Sequence, residues 1–202
     1  PMINWVIDEL KDCTFLEDII VSTDDTEIKK HVENLGVKAP FIRPKSLSDD
    51  YTGTSKVIKH ATEWYINNVS QIDYVITVYP TAVLLSSSDL FQAYKKIMNE
   101  NWETVFSTTT FSFPIQRAIF LNKEGLIEMF QPEMFSKRSQ DLTEAYHDAG
   151  QFYFSTTNAV LNETPAFSKT SSMIVLPRYR VSDIDTEEDL IVAEKYLKNI
   201  KG

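Results

Sequence analysis

The stretch 73–109, DYVITVYPTAVLLSSSDLFQAYKKIMNENWETVFSTT, reads as strand, helix, strand. Asp73 to Tyr79 is a short apolar run rich in β-branched residues. Leu90, Phe91, Tyr94, Ile97 and Met98 then recur at helical spacing, and Glu103 to Thr109 is extended again. Strands joined by helical crossovers predict an α/β fold, with a mostly parallel sheet covered on both faces.

The same alternation extends upstream. Met2 to Cys13 has the apolar spacing of an amphipathic helix, and Asp18 to Ser22 carries the run Ile19-Ile20-Val21 of a short buried strand. Asp24 and Glu27 have capping-box spacing before a helix with Ile28, Val32 and Leu35 on one face, stopped by Gly36. Lys38 to Ile42 is a second strand candidate, followed by a polar loop from Arg43 to Gly53 and a helix carrying Val57, Ile58, Ala61, Trp64 and Tyr65. Downstream, the pattern lapses after Phe111. Ala118 to Asn122 and Leu126 to Met129 read as a hairpin, so residues from about 111 to 146 are expected to form an arm inserted into the sheet domain. Alternation resumes with a strand at Gly150 to Ser155, a short helix near Thr157 to Leu161, a strand at Met173 to Leu176 and a helix from Thr186 to Leu197. Residues 1–202 are expected to form one domain.

Composition narrows the function classes. Twenty Lys+Arg against 29 Asp+Glu give a net charge of -9, which argues against nucleic acid as a partner. Cys13 is the only cysteine, so no internal disulfide framework is available and a reducing, cytoplasmic setting is expected. No apolar run approaches a membrane span. The five glycines are far apart, so the sequence contains no glycine-rich phosphate loop.

In open parallel sheets, ligands collect beyond the carboxyl ends of the strands. Four segments there carry chemistry. PRYRVSDID, 177–185, offers Arg178 and Arg180 and then Asp183 and Asp185, two carboxylates one residue apart that suit one divalent cation; the competing role for Asp185 is a capping box with Glu188. In the 43–54 loop, Arg43 suits a phosphate or base edge, while Ser48, Thr52 and Thr54 supply hydroxyls. The competing reading is a solvated loop with an Arg43 pair to Asp49 or Asp50. Tyr79 and Thr81 end the 73–79 strand and either wall a ligand or make a proline turn. KRSQDLTEAYHDAGQFYF, 137–154, mixes charges and rings: Lys137 and Arg138 suit an anion, and Gln140, Asp141 and Gln151 suit a polar ligand. His147 beside Asp148 is weak evidence for a dyad, since neighbours on a strand point to opposite faces. His31 and His60 carry no assigned role.

RPKSLSDDYTGT (43–54), FPIQRA (113–118), RSQDLTEAYHDAGQFY (138–153) and LPRYRVSDIDTEEDL (176–190) together resemble the acylneuraminate cytidylyltransferase family, the CMP-sialic acid synthetases in the broad sense. The likeness runs in order through the chain and is nearest the branch acting on pseudaminic acid. It implies a Rossmann-like nucleotidyltransferase that transfers CMP from CTP to a nonulosonic acid, releasing pyrophosphate with Mg2+. By position, the resemblance makes Asp183 and Asp185 the metal-binding catalytic pair. It puts Arg43, Thr52, Gly53 and Thr54 by the nucleotide, and Tyr79, Thr81, Arg138, Gln140 and Gln151 by the sugar. It makes the 111–146 arm the element through which two copies form a homodimer. Tyr79 stands where sialic acid enzymes tend to carry a glutamine, which favours pseudaminic acid over N-acetylneuraminate or ketodeoxyoctonate. Family members open with a strand and a loop of the form Ala-Arg-Gly-Gly-Ser-Lys-Arg, ending in Gly-Lys-Pro-Met. The start Pro1-Met2 resembles that ending, so roughly three dozen further residues are expected ahead of it. A chain lacking them is expected to be a non-catalytic nucleotide- or sugar-binding module instead.

Overall fold

The computed structural model describes residues 1–182, 184 and 186–201, the last four in backbone alone. The elements are α1 (Met2–Lys11), α2 (Thr26–Asn34), α3 (Thr54–Asn68), β1 (Tyr74–Val78), α4 (Ser87–Asn99), β2 (Thr104–Thr110), β3 (Ile119–Leu121), β4 (Ile127–Met129), β5 (Tyr146–Thr156), α5 (Thr157–Leu161), β6 (Ser171–Val175) and α6 (Glu187–Lys201). The α/β expectation holds. The main sheet has the order β1-β5-β2-β6, and β3 pairs with β4 in a separate hairpin.

The sheet is mixed rather than mostly parallel. β2 and β6 pair in parallel, but β5 lies antiparallel between β1 and β2. The cause is the 111–145 excursion. The chain leaves the end of β2, makes the β3–β4 hairpin and returns at the same end, and a strand that returns without a crossover runs antiparallel.

Two predicted strands do not form ladders. Asp18 to Ser22 and Lys38 to Ile42 meet in a single parallel bridge, Ile20 with Lys38, with Val21 N–H donating to the Lys38 carbonyl at 2.8 Å. Ile19 and Val21 nevertheless pack against the buried cluster of Ile7, Val32, Val37 and Ala39. Their apolar run reported burial rather than strand pairing. The α2 cap also shifts by one residue: Asp25, not Asp24, accepts N–H from Glu27 at 2.6 Å and Ile28 at 3.1 Å.

The main core lies between the sheet and the helices α1 and α4. Val6, Leu90, Ala93, Ile97, Val105, Phe152 and Phe154 form one buried cluster. The central strand β2 is buried yet rich in hydroxyls, and these find partners: Thr108 donates to the Ile174 carbonyl at 3.3 Å and Thr109 to the Leu176 carbonyl at 2.8 Å.

Candidate active site

The site is built on a bulge in β5. Phe106 faces Tyr153 across the ladder, but Thr108 faces Asp148, so extra residues of β5 are looped out between them. Ser107, fully buried, stands in for the lost ladder partners. Its hydroxyl accepts N–H from Gln151 and Phe152, both at 3.2 Å. Gly150 takes φ +61°, a left-handed conformation that glycine adopts without steric strain. Its N–H donates to Asp148 Oδ1 at 2.8 Å, and the Tyr153 hydroxyl donates to Asp148 Oδ2. Two side chains five residues apart on one strand thereby touch, as bulges beside active sites permit.

A cavity of about 380 Å3 is lined by this bulge together with Tyr79 and Val181. Tyr79 and Tyr153 stand edge to face, ring centres 6.0 Å apart. Burial pushes the Tyr153 phenol well above its ordinary pKa, and the bond to Asp148 adds to the shift. His147 Nδ1 lies 2.8 Å from the Asp148 carbonyl oxygen. A carbonyl only accepts, so the hydrogen-bond network assigns the proton to Nδ1. The Asp148 carboxylate therefore serves Tyr153 and Gly150 and does not orient His147 as a base.

Gln151 is 2% exposed, and its Nε2 donates to the Arg180 carbonyl while Oε1 has no partner among the described residues. Arg180 in turn makes a two-pronged pair with Asp89 at 2.8 and 2.9 Å, and Asp89 is itself buried at the start of α4. This clamp ties the 177–182 turn to α4, and the Gln151 bond ties it to β5. Val181 from that turn lines the cavity.

The other expected residues are spread out. Arg43 donates to Asp24 at 2.8 Å and to Ser48 at 3.1 Å, so its carboxylate partner is Asp24 rather than Asp49 or Asp50. Asp49 instead holds the backbone N–H groups of Tyr51 and Thr52, which lowers its pKa below the ordinary carboxylate value. Thr52 Oγ1 donates to the Ser46 carbonyl at 3.3 Å. Gly53 is the N-cap of α3, so the helix that begins at Thr54 has no side-chain cap. Its first N–H groups face an end suited to an anion. Thr81 sits in the turn after β1, its carbonyl taking the Val83 N–H at 2.8 Å. Arg138 and Gln140 are exposed on the arm, where Arg138 pairs with Asp141 at 2.9 Å. Neither lines the cavity.

Asp183 and Asp185 lie outside the described residues. The capping box expected of Asp185 and Glu188 therefore also falls outside them, and Thr186 and Asp189 form a reciprocal pair at the start of α6. Thr186 N–H donates to Asp189 Oδ2 at 2.9 Å, and Asp189 N–H donates to Thr186 Oγ1 at 3.3 Å. Among the described residues no cluster of three or more His, Cys, Asp or Glu suits a metal ion, and no helix is long and apolar enough to cross a membrane. The Asp148–Tyr153 contact, the Ser107 pin and the Asp89–Arg180 clamp escaped the sequence reading. Gly150 inside a strand was the one available signal of a bulge.

Comparison with known proteins identifies the family and the fold. The cytidylyltransferase family profile matches residues 1–197. The chain is 42% identical over 194 residues to a pseudaminic acid cytidylyltransferase of Campylobacter jejuni, covering 96% of this chain and 84% of that protein. Among solved structures, a CMP:2-keto-3-deoxy-manno-octonic acid synthetase complexed with CTP superposes with a TM-score of 0.65 at 13% identity, over 100% of this chain and 88% of that one. A 4-diphosphocytidyl-2C-methyl-D-erythritol synthase from Anaerococcus prevotii gives 0.62 at 13% identity, over 98% and 89%. At that identity these two neighbours establish the fold, a Rossmann-like nucleotidyltransferase fold. The extent of the profile match and the 42% identity establish that the chain belongs to the cytidylyltransferase family.

Proposed function

We propose that the protein transfers CMP from CTP to a nonulosonic acid, with pseudaminic acid the favoured acceptor, giving the CMP-sugar and pyrophosphate. The observation that carries this is the 42% identity to a pseudaminic acid cytidylyltransferase across 96% of the chain. In this reading the sugar's anomeric hydroxyl attacks the α-phosphorus of CTP. Catalysis is then alignment and charge neutralisation, and no covalent nucleophile is needed.

Arg43 and the uncapped start of α3 at Gly53 and Thr54, with Thr52 beside them, take the nucleotide end. Arg43 is held in place by Asp24 and Ser48, so its orientation is set before a ligand arrives. The cavity over the β5 bulge, with Tyr79 and Tyr153 as walls, takes the sugar, and Thr81 and Gln151 flank it in sequence. Mg2+ on Asp183 and Asp185 neutralises charge on the triphosphate when bound. Two carboxylates plus phosphate oxygens are a donor set that suits this ion. The Asp89–Arg180 clamp and the Thr186–Asp189 capping box anchor the chain on either side of those aspartates.

The acting unit in this proposal is a homodimer in the cytoplasm. The arm supports it: Leu121 is 69% exposed, Ile127 70% and Phe135 74%, an apolar surface suited to a second copy. Arg138 and Gln140 lie on this arm and reach a sugar site only by crossing to the partner. Sedimentation velocity tests this: a dimer is expected, and a monomer at assay concentration removes the shared site. Incubation with CTP, UTP or ATP and pseudaminic acid tests the transfer, with pyrophosphate expected from CTP alone.

A further inference from the structure

The geometry points to Gln151 as a positioning residue: through the Arg180 carbonyl it holds the Val181 wall of the cavity in place, and so it governs sugar binding without touching the sugar. This rests on the nonulosonic acid reading above and replaces a direct sugar contact for this residue. Gln151 is 2% exposed and, unlike Gly150 before it and Tyr153 two residues on, does not line the cavity. Its main chain is held on both sides. The N–H donates to Ser107 Oγ at 3.2 Å, and the carbonyl accepts the Tyr79 N–H at 3.1 Å. Its side-chain Nε2 donates to the Arg180 carbonyl. One residue thereby joins β2, the exit of β1 and the exit of β6, and Tyr79 and Val181 at those two exits are cavity walls.

The Asp89–Arg180 pair fixes where the Arg180 side chain ends, but it leaves the peptide that follows free to rotate. That peptide is fixed by two other bonds. Its carbonyl accepts from Gln151 Nε2, and its N–H, that of Val181, donates to the Arg178 carbonyl at 3.1 Å. Without the first bond, Val181 is free to swing. The orientation of the Gln151 amide follows from the network, because a flipped amide would set Oε1 against a carbonyl. As it stands, Oε1 is buried with no partner among the described residues, which is unfavourable. Methionine, unbranched and apolar, relieves that cost and loses only the donor. Stability and positioning therefore respond differently to Gln151→Met.

The test is calorimetric binding of pseudaminic acid, in the presence of CMP, to the wild-type protein, Gln151→Met, Val181→Ala and the double variant, with thermal melts of each. Gln151→Met is expected to weaken sugar binding about fivefold while CMP affinity holds and the melting temperature stays within about 3 °C. Val181→Ala is expected to weaken it by about the same factor. The double variant is expected to bind within about twofold of the weaker single variant, because with the wall gone Gln151 has nothing left to hold. Unchanged sugar affinity in either single variant overturns the assignment. Additive losses also overturn it, since they mark a direct contact, and so does a Gln151→Met protein melting more than about 10 °C lower, which marks a purely structural role. Wild-type protein that binds the sugar but forms no CMP-sugar removes the transferase reading and leaves this assignment standing. Wild-type protein that does not bind the sugar overturns both.

Discussion

Arg180→Ala is expected to destabilise the protein far more than the loss of an ordinary surface ion pair. The Asp89 side chain is 3% exposed and that of Arg180 17%, and the two share a two-pronged contact at 2.8 and 2.9 Å. Exposed pairs contribute about 0–1 kcal/mol. Here, truncating the arginine strands a carboxylate that water cannot reach, and breaking a buried pair in this way costs about 3–5 kcal/mol. For a domain of this size, 1 kcal/mol shifts the melting temperature by about 2–4 °C, so a fall of roughly 6–20 °C follows. The reverse change, Asp89→Leu, leaves an arginine with partial access to solvent and is expected to cost less. The double variant Arg180→Ala/Asp89→Leu removes the stranded charge and is expected to recover at least half of the single-variant loss. Thermal melts of the three variants read this out directly. A loss below about 1 kcal/mol for Arg180→Ala, or simple additivity in the double variant, would refute the view that the clamp is buried and coupled.

Three further outcomes follow from named contacts. Asp185→Asn is expected to abolish CMP-sugar formation with the melting temperature unchanged; retained turnover removes Asp185 from the metal site. Ser107→Ala strips the acceptor from the Gln151 and Phe152 N–H groups inside the core, and about 1–3 kcal/mol of stability is expected to go with it in urea titration. The Cys13 thiol is pushed up to about 11, first by burial and then by Glu9 and Asp12. At pH 8 only about one molecule in a thousand then carries the thiolate, so a thiol reagent should label native protein far more slowly than urea-unfolded protein. Because the folded pKa is the higher one, this group favours the native state below pH 9, and the contribution fades between about 9 and 11. Equal labelling rates in the two states would contradict the burial.

The strand–helix–strand reading of 73–109 carried over almost residue for residue, because periodicity records which face of an element is buried. Helix α5 and the β3–β4 hairpin were equally legible. Strand direction was not. β5 runs against its neighbours because the chain returns from the arm without crossing over, and nothing local to Gly150–Ser155 encodes that path. Ile19-Ile20-Val21 looked like a strand because it is apolar and half-buried, but packing against the core does not supply a ladder partner. Tyr79 was singled out for its residue type and loop position and lines the cavity, whereas Arg43, singled out in the same way, lies apart from it and is paired with Asp24. Asp148 was undervalued because it lay ahead of the expected 150–155 strand and was weighed only as a partner for His147; β5 in fact begins at Tyr146. The bulge at Gly150, pinned by Ser107 from the neighbouring strand, creates its contact with Tyr153. Arg180 and Asp89 lie 91 residues apart, a pairing that only the folded sheet reveals.

The central claim is CMP transfer to a nonulosonic acid, and a pyrophosphate-release assay with CTP and Mg2+, run with mass detection of the product, tests it most directly. Pseudaminic acid, N-acetylneuraminate and ketodeoxyoctonate are offered in parallel. The account predicts release with pseudaminic acid, a product of CMP-sugar mass, and a kcat/KM well above those for the other two. Absence of CMP-sugar with all three, from protein that still binds CTP, would contradict it and favour a nucleotide-binding module without transferase activity.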